Sequence, residues 1–340
     1  MQRCLELAAL GSSWVAPNPM VGALLTRPDQ DNRIVAEAFH GHFGGPHAEA
    51  RLLDALDDSQ DFQQTRLYVN LEPCSHHGKT PPCADRIIQA GIPEVVVAAL
   101  DPNPRVAGRG IARLRDAGIE VRTGILEKEA RQLNAAFYRR HQRERPYVIL
   151  KWAQSADGYL TQKPGVPTAI THAMSNRWVH ALRSRCQAIL VGARTVAADD
   201  PLLNLRHWPG RDPQVVIADR NLLLESASYR VFQRQPHRLF AAGNLKRPPK
   251  EEEIPVEDWE DADQWLEALA QRDILSLLVE GGANTLKRFL HQELWDEIWI
   301  FTDQNQYWGK GLAAPRPATP PNQSWQLGSN QITYWFQNNP

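Results

Sequence analysis

His47-Ala48-Glu49, followed by Pro73-Cys74-Ser75-His76-His77-Gly78-Lys79-Thr80-Pro81-Pro82-Cys83, is the stretch on which the first half of this chain turns. One imidazole and two thiols make a donor set suited to Zn²⁺. In a catalytic site that ion takes three protein ligands and keeps a fourth position for water. Glu49 adds a carboxylate that need not touch the metal and can move protons. A structural zinc site, with all four positions filled by protein, has no use for such a group. Core packing is the plainer reading, since buried cysteines and helix-starting histidines are common. The conjunction of His-x-Glu, Pro-Cys and a second Cys favours the metal. His76 or His77 in place of one thiol is the alternative ligand set.

Working outward, short apolar runs at 21–26, 34–40, 66–71 and 94–100 read as strands. Helical spacing appears at 48–56, at 84–90 with Cys83 opening it, and at 127–143 as a closing helix. The order α-β-β-α-β-α-β-α is that of an α/β/α sandwich. His47 and Glu49 then start one helix, and Pro81-Pro82 precede the next, as prolines do at helix starts. Two helix N-termini, with their unpaired N–H groups, therefore face one metal. The loop between the thiols is longer than a Cys-x-x-Cys turn and carries Lys79, either a point charge for a phosphate or a solvated turn residue.

A charged helix end meets Pro146 at Arg143-Glu144-Arg145, so the expected domains are 1–145 and 146–340. Ten of the eleven tryptophans lie in the second part, which marks a compositional shift. Strands are expected there at 147–155, 188–193, 214–219, 274–280 and 297–302, with helices at 174–185, 261–272 and 283–290. The acid-rich stretch 250–263 reads as a solvated linker or helix face. Val279-Glu280-Gly281-Gly282-Ala283 follows a strand and opens a helix. Its glycines admit a phosphate to backbone N–H groups, or form an ordinary tight turn. Asp199-Asp200-Pro201 has the form of a turn or helix cap.

The net charge is −1 over 340 residues, and both halves are close to balanced, which argues against a nucleic-acid partner. Four cysteines, two of them spoken for by metal, suit a reducing compartment. No run is long enough to span a bilayer, and a cytoplasmic location is expected. Homo-oligomerisation is left open.

The motif resembles the zinc-deaminase pattern H-x-E with P-C-x-x-C, stretched here to Cys-x8-Cys. With Asn18-Pro19-Met20-Val21-Gly22 and Asp101-Pro102-Asn103-Pro104, the first half looks like a cytidine-deaminase-like α/β/α sandwich. The second half looks like a dihydrofolate-reductase-like α/β domain, in Lys151-Trp152-Ala153-Gln154-Ser155-Ala156-Asp157-Gly158, Ala188 to Val196, Asp199-Asp200-Pro201 with Arg206, and Glu280-Gly281-Gly282. The whole chain thus resembles the bifunctional riboflavin-biosynthesis deaminase–reductase family.

That resemblance implies zinc on His47, Cys74 and Cys83, with Glu49 as the proton shuttle. It places Asn18, Lys79, Asp101 and Asn103 around a pyrimidine ribose phosphate. It implies NADPH in the second half, facing Ala153, Thr195, Asp199, Gly282, Ala283 and Asn284. Arg183, Leu203, Arg206 and Glu280 would then face the substrate. The implied chemistry is hydrolytic deamination of 2,5-diamino-6-(5-phosphoribosylamino)pyrimidin-4(3H)-one, then reduction of the ribose to a ribityl chain. The family commonly reads Ser-x-Trp-Ile-Thr where this chain has Pro167-Thr168-Ala169-Ile170-Thr171, so an aromatic cofactor contact is replaced by a methyl. The alternatives are a deaminase with an impaired reductase half, a nucleic-acid or nucleoside zinc deaminase, and a zinc-stabilised binding module without turnover.

Overall fold

The computed structural model describes residues 1–56, 61–76, 81–104, 106–163, 170, 172–224, 228–233, 237–242 and 250–337. The expectations for His77, Lys79 and Ala169 lie outside the described residues. The chain divides into two compact units, residues 1–143 and 144–339. Arg145, assigned to the first half from sequence, falls in the second, where its guanidinium donates to the buried Asp296 carboxylate at 2.9 and 3.2 Å.

The first unit runs α1 (Gln2–Ala9), β1 (Gly22–Arg27), β2 (Arg33–Phe39), α2 (Ala48–Asp54), β3 (Arg66–Leu71), α3 (Cys83–Ala90), β4 (Glu94–Ala99), α4 (Arg109–Asp116), β5 (Glu120–Thr123), α5 (Glu127–Leu133) and α6 (Ala135–Arg143). Its sheet has the order β2-β1-β3-β4-β5. The β2-β1-β3 pairings are antiparallel and β3-β4-β5 are parallel. Alternate strand residues feed opposite faces, because a strand's side chains have a period of two. Ala23, Leu25, Leu67, Val69, Val95 and Val97 pack with Leu52, Ile87 and Leu114 of α2, α3 and α4. Ala98 packs on the other face with Leu5, Ala130 and Tyr138 of α1, α5 and α6. The α/β/α sandwich follows.

Two features of this unit differ from the expectation. A fifth strand and the helix before it were not foreseen, because β5 buries only Val121 and offers no apolar run to read. The closing helix is two helices, broken at Asn134, whose buried side chain bonds to the Met20 backbone instead of facing solvent.

The second unit runs β6 (Tyr147–Ser155), β7 (Tyr159–Thr161), α7 (Ala173–Ser184), β8 (Ala188–Gly192), α8 (Ala193–Asp199), β9 (Gln214–Ala218), β10 (His237–Ala242), β11 (Glu253–Val256), α9 (Ala262–Ala270), β12 (Ser276–Val279), α10 (Ala283–His291), β13 (Glu297–Asp303), β14 (Leu312–Ala313), β15 (Gln323–Leu327) and β16 (Asn330–Phe336). Nine strands form one sheet in the order β11-β10-β9-β8-β12-β6-β13-β16-β15. Its core strands are parallel, and β13-β16-β15 close it antiparallel. Parity again divides the faces. Val148, Leu150, Leu190 and Val216 pack with α9 and α10, whereas Ile149, Ile189, Val191 and Val215 pack with α7 and α8.

The acid-rich stretch 250–263 is neither a linker nor a helix face. It contains edge strand β11, with Ile254 and Val256 buried, and Asp261, which caps α9 by accepting from the Asp263 N–H at 3.0 Å. The interspersed acids concealed two buried apolar positions. Ala193, expected to end a strand, begins α8.

Candidate active site

His47 is the N-cap of α2, in extended conformation, so its side chain leaves the helix start while Glu49 enters the first turn. Cys83 opens α3, and its backbone N–H donates to Cys74 Sγ at 3.3 Å. The Ala84 N–H donates to the Cys74 carbonyl at 3.1 Å. The second bond holds the Cys74 backbone to the helix start, and the first brings an N–H to its sulfur, a setting that favours thiolate. His47 Nδ1 lies 3.6 Å from Cys74 Sγ and 3.4 Å from Cys83 Sγ. All three donor atoms lie within 4.8 Å of one another. Tetrahedral zinc, with Zn–S near 2.3 Å and Zn–N near 2.0–2.1 Å, requires an S to N separation of about 3.6 Å. The residues fit the ion. Among the described residues His76 is not one of the clustered donors, although it reaches the adjoining cavity.

Sharing of one proton between the sulfurs pushes Cys83 up, and the hydrogen bonds from Cys83 and His47 pull Cys74 down. The bond to Cys74 raises His47. Glu49 is 3% exposed, and burial, with the Cys74 charge second, pushes its carboxyl up to about 7. A buried acid poised near neutrality beside a metal site can accept and return a proton.

A cavity of about 240 Å³ adjoins the triad, with His47, Glu49 and Cys74 on its wall. Asn18, Asp101 and Asn103, three of the sequence candidates, line it as well. Asp101 accepts from the Asn103 N–H at 2.8 Å, and burial raises its carboxyl. Sequence reading missed several further wall residues, among them His40, Glu72, Phe137 and His141. Phe137 and His141 are one turn apart on α6, a spacing that could have revealed a common face. Glu72 is buried and accepts from the backbone N–H groups of Gly108 and Gly110, each at 2.9 Å, and of Asp101 at 3.2 Å. It locks the Asp101–Gly110 segment to the strand end that carries Cys74. A Cβ on Gly110 would run into the Pro73 carbonyl oxygen, so only glycine permits this approach.

In the second unit the candidates cluster at the C-terminal ends of three neighbouring parallel strands, β8, β12 and β6. Open α/β sheets bind ligands in such a crevice. Thr195 is half-buried in α8, and its Oγ1 lies 3.2 Å from where a Cβ on Gly282 would stand. Gly282 has φ +63° and is the N-cap of α10, with no capping side chain and no acid in the first turn. A helix start without a capping side chain suits a dinucleotide phosphate. Gly281 has a packing reason instead, since a Cβ there would meet Val191 and Gly192 backbone. Ala283 is buried, Asn284 and Asp199 are exposed, and Ala153 is half-buried in β6.

Arg183 makes a forked ion pair with Glu280 at 2.9 and 2.8 Å and donates to the Asn204 carbonyl at 3.3 Å. Arg206 donates to Asn204 Oδ1 at 2.7 Å and leaves an exposed guanidinium. Leu203 is buried in the core with φ +53°, so its side chain packs and does not line an open surface. Lys151 has Glu280 and Arg183 as its charged neighbours, and burial lowers its ammonium.

A family model described as the cytidine and deoxycytidylate deaminase zinc-binding region matches residues 1–99, and the RibD C-terminal domain model matches 146–302. The riboflavin biosynthesis protein RibD of Aquifex aeolicus is 38% identical over 319 residues, covering 92% of this chain and 88% of that protein. The RibD of Escherichia coli is 35% identical over 331 residues, covering 88% and 86%. The crystal structure of a diaminohydroxyphosphoribosylaminopyrimidine deaminase/5-amino-6-(5-phosphoribosylamino)uracil reductase from Thermotoga maritima aligns with TM-score 0.87 and 37% identity, covering 98% and 96% of the two chains. Acinetobacter baumannii RibD aligns with TM-score 0.87 and 31% identity, covering 98% and 97%.

Proposed function

The chain belongs to the RibD family of riboflavin-biosynthesis proteins, and on that premise we propose how its residues divide two consecutive reactions between the two units. It is a bifunctional deaminase and reductase that uses zinc and NADPH. The family match over 146–302 favours this reading over a deaminase alone or a nucleic-acid deaminase. The substrate is a small pyrimidine ribose phosphate, deaminated first and reduced at the ribose second.

In the first unit His47, Cys74 and Cys83 would hold zinc, which when bound would supply a water whose pKa is lowered toward about 7. Glu49 would take one proton from the attacking water and give it to a ring nitrogen, then take the second proton of that oxygen and give it to the amino group, which leaves as ammonia. Asn18, Asp101 and Asn103 hold the heterocycle and its ribose. The observation that carries this reading is the buried Glu49 beside a donor triad with tetrahedral spacing.

In the second unit NADPH supplies the hydride when bound. Gly282 and the start of α10, beside Thr195, would receive its phosphates. Arg206 meets the substrate phosphate. Arg183 is committed to Glu280 and acts with it as a fixed polar wall rather than as a free cation. The enzyme acts in the cytoplasm on small molecules and not on nucleic acid. The test is one assay with two readouts on the pyrimidine phosphate, ammonia release without NADPH and NADPH oxidation after deamination. Absence of ammonia release by zinc-replete protein would refute the deaminase assignment, and absence of oxidation alone would refute only the reductase.

A further inference from the structure

His40 follows β2 and is 2% exposed. Its backbone N–H donates to the Val21 carbonyl at 2.8 Å, and its ring stands edge-on to His47 at 5.7 Å between centroids. Its two ring nitrogens meet different partners. Nδ1 lies 3.0 Å from the Pro46 carbonyl oxygen, and Nε2 lies 3.2 Å from the side-chain nitrogen of Asn18. A carbonyl oxygen has no hydrogen to give, so Nδ1 must carry the proton. In a neutral ring Nε2 is then a bare acceptor. Only the NH₂ end of an amide can meet a bare acceptor, so the Asn18 carbonyl oxygen must be turned the other way.

We propose that His40 is a positioning residue for deamination: through its Nδ1–H tautomer it fixes the amide of Asn18, so that Oδ1 and one N–H are presented to the pyrimidine in the zinc-side cavity. Both residues are on the wall of that cavity. An acceptor and a donor fixed there in that order favour a heterocycle edge that offers an N–H and an acceptor in the matching order over one that offers them reversed. Without His40, the Asn18 amide is free to rotate by half a turn and to offer a donor where an acceptor is needed. This inference rests on the reading of the cavity as the deaminase site.

A double-mutant cycle on the full zinc-loaded chain tests it. His40→Phe keeps a flat ring and removes both nitrogens, whereas His40→Gln keeps a donor for Pro46 and an acceptor for Asn18 at nearly the same separation. The expected result is a KM for the pyrimidine phosphate raised about tenfold to a hundredfold in His40→Phe. Little change in kcat and unchanged zinc content should accompany it, and His40→Gln should recover most of the loss. In an Asn18→Ala background His40→Phe should cost nothing more. Equal costs in both backgrounds, loss of zinc with the Phe variant, or failure of Gln to rescue with zinc retained would each overturn the proposal. If the Phe variant does not fold, the wild-type ¹⁵N spectrum of the His40 ring decides. A protonated Nδ1 and a bare Nε2 are expected, and the opposite tautomer refutes the argument without any assay. Failure of the underlying reading is distinguishable, because the wild type would then release no ammonia at all.

Discussion

Glu49 is the residue on which the deaminase assignment can be checked most directly. It is buried without being a metal ligand, so replacing it by Gln should leave the zinc in place and slow deamination by about 10² to 10⁴. Cys83→Ser should instead release the metal, since a hydroxyl is a poor substitute for a thiolate on zinc. Metal analysis of both purified variants, alongside ammonia release, separates the roles; a zinc-free Gln variant or a normally active one would contradict them. The pairing of His47 with Glu49 could be read from sequence because both fall in one short motif. His40 could not, because its partners Asn18 and Pro46 come from separate loops and nothing local marks the contact.

Between elements, single buried polar side chains tie segments that hydrophobic patterning leaves undefined. Asn134 separates α5 from α6, accepts from the Met20 N–H at 2.8 Å and donates to the Met20 carbonyl at 2.9 Å. Asn70 of β3 shares that duty, bonding to the Met20 carbonyl at 3.0 Å and the Gly22 N–H at 2.7 Å. Asn134→Ala strands a buried N–H and should cost about 1–3 kcal/mol, read as a lower urea midpoint with unchanged slope. A midpoint equal to wild type would show that water replaces the side chain. In the second unit, Arg183 of α7 is tied to Glu280 just beyond β12. Burial by itself would raise the Glu280 carboxyl, but Arg183 and Lys151 outweigh it and hold it at about 2, below its ordinary 4.5. A carboxylate depressed on folding stabilises the fold fully above its unfolded pKa, and that stability drains as pH falls through 4.5 toward about 2. Glu280→Gln should therefore flatten the acid limb of a stability–pH curve, while costing stability at neutral pH because Arg183 is left unpaired. Equal acid limbs for variant and wild type would rule out this linkage.

At the scale of the whole chain, each unit has its own hydrophobic cores, which predicts that residues 1–143 expressed alone fold, bind a full equivalent of zinc and release ammonia from the pyrimidine phosphate without NADPH. Circular dichroism and metal analysis of the fragment check this, and an unfolded or metal-free fragment would contradict it. The donor triad, Glu49 and the two-part α/β architecture were legible in the sequence, because ligand spacing, helix starts and apolar periodicity are local properties of a chain. The edge strands β5 and β11, the break at Asn134 and the wall residues Glu72, Phe137 and His141 were decided by tertiary structure. β5 and β11 have too little apolar content to leave a periodic signal, the partners of Glu72 and Asn134 are distant in sequence, and the Phe137–His141 spacing marks a helix face without showing what that face meets. Only the folded sheet determines which buried polar groups meet, and with them the orientation of Asn18.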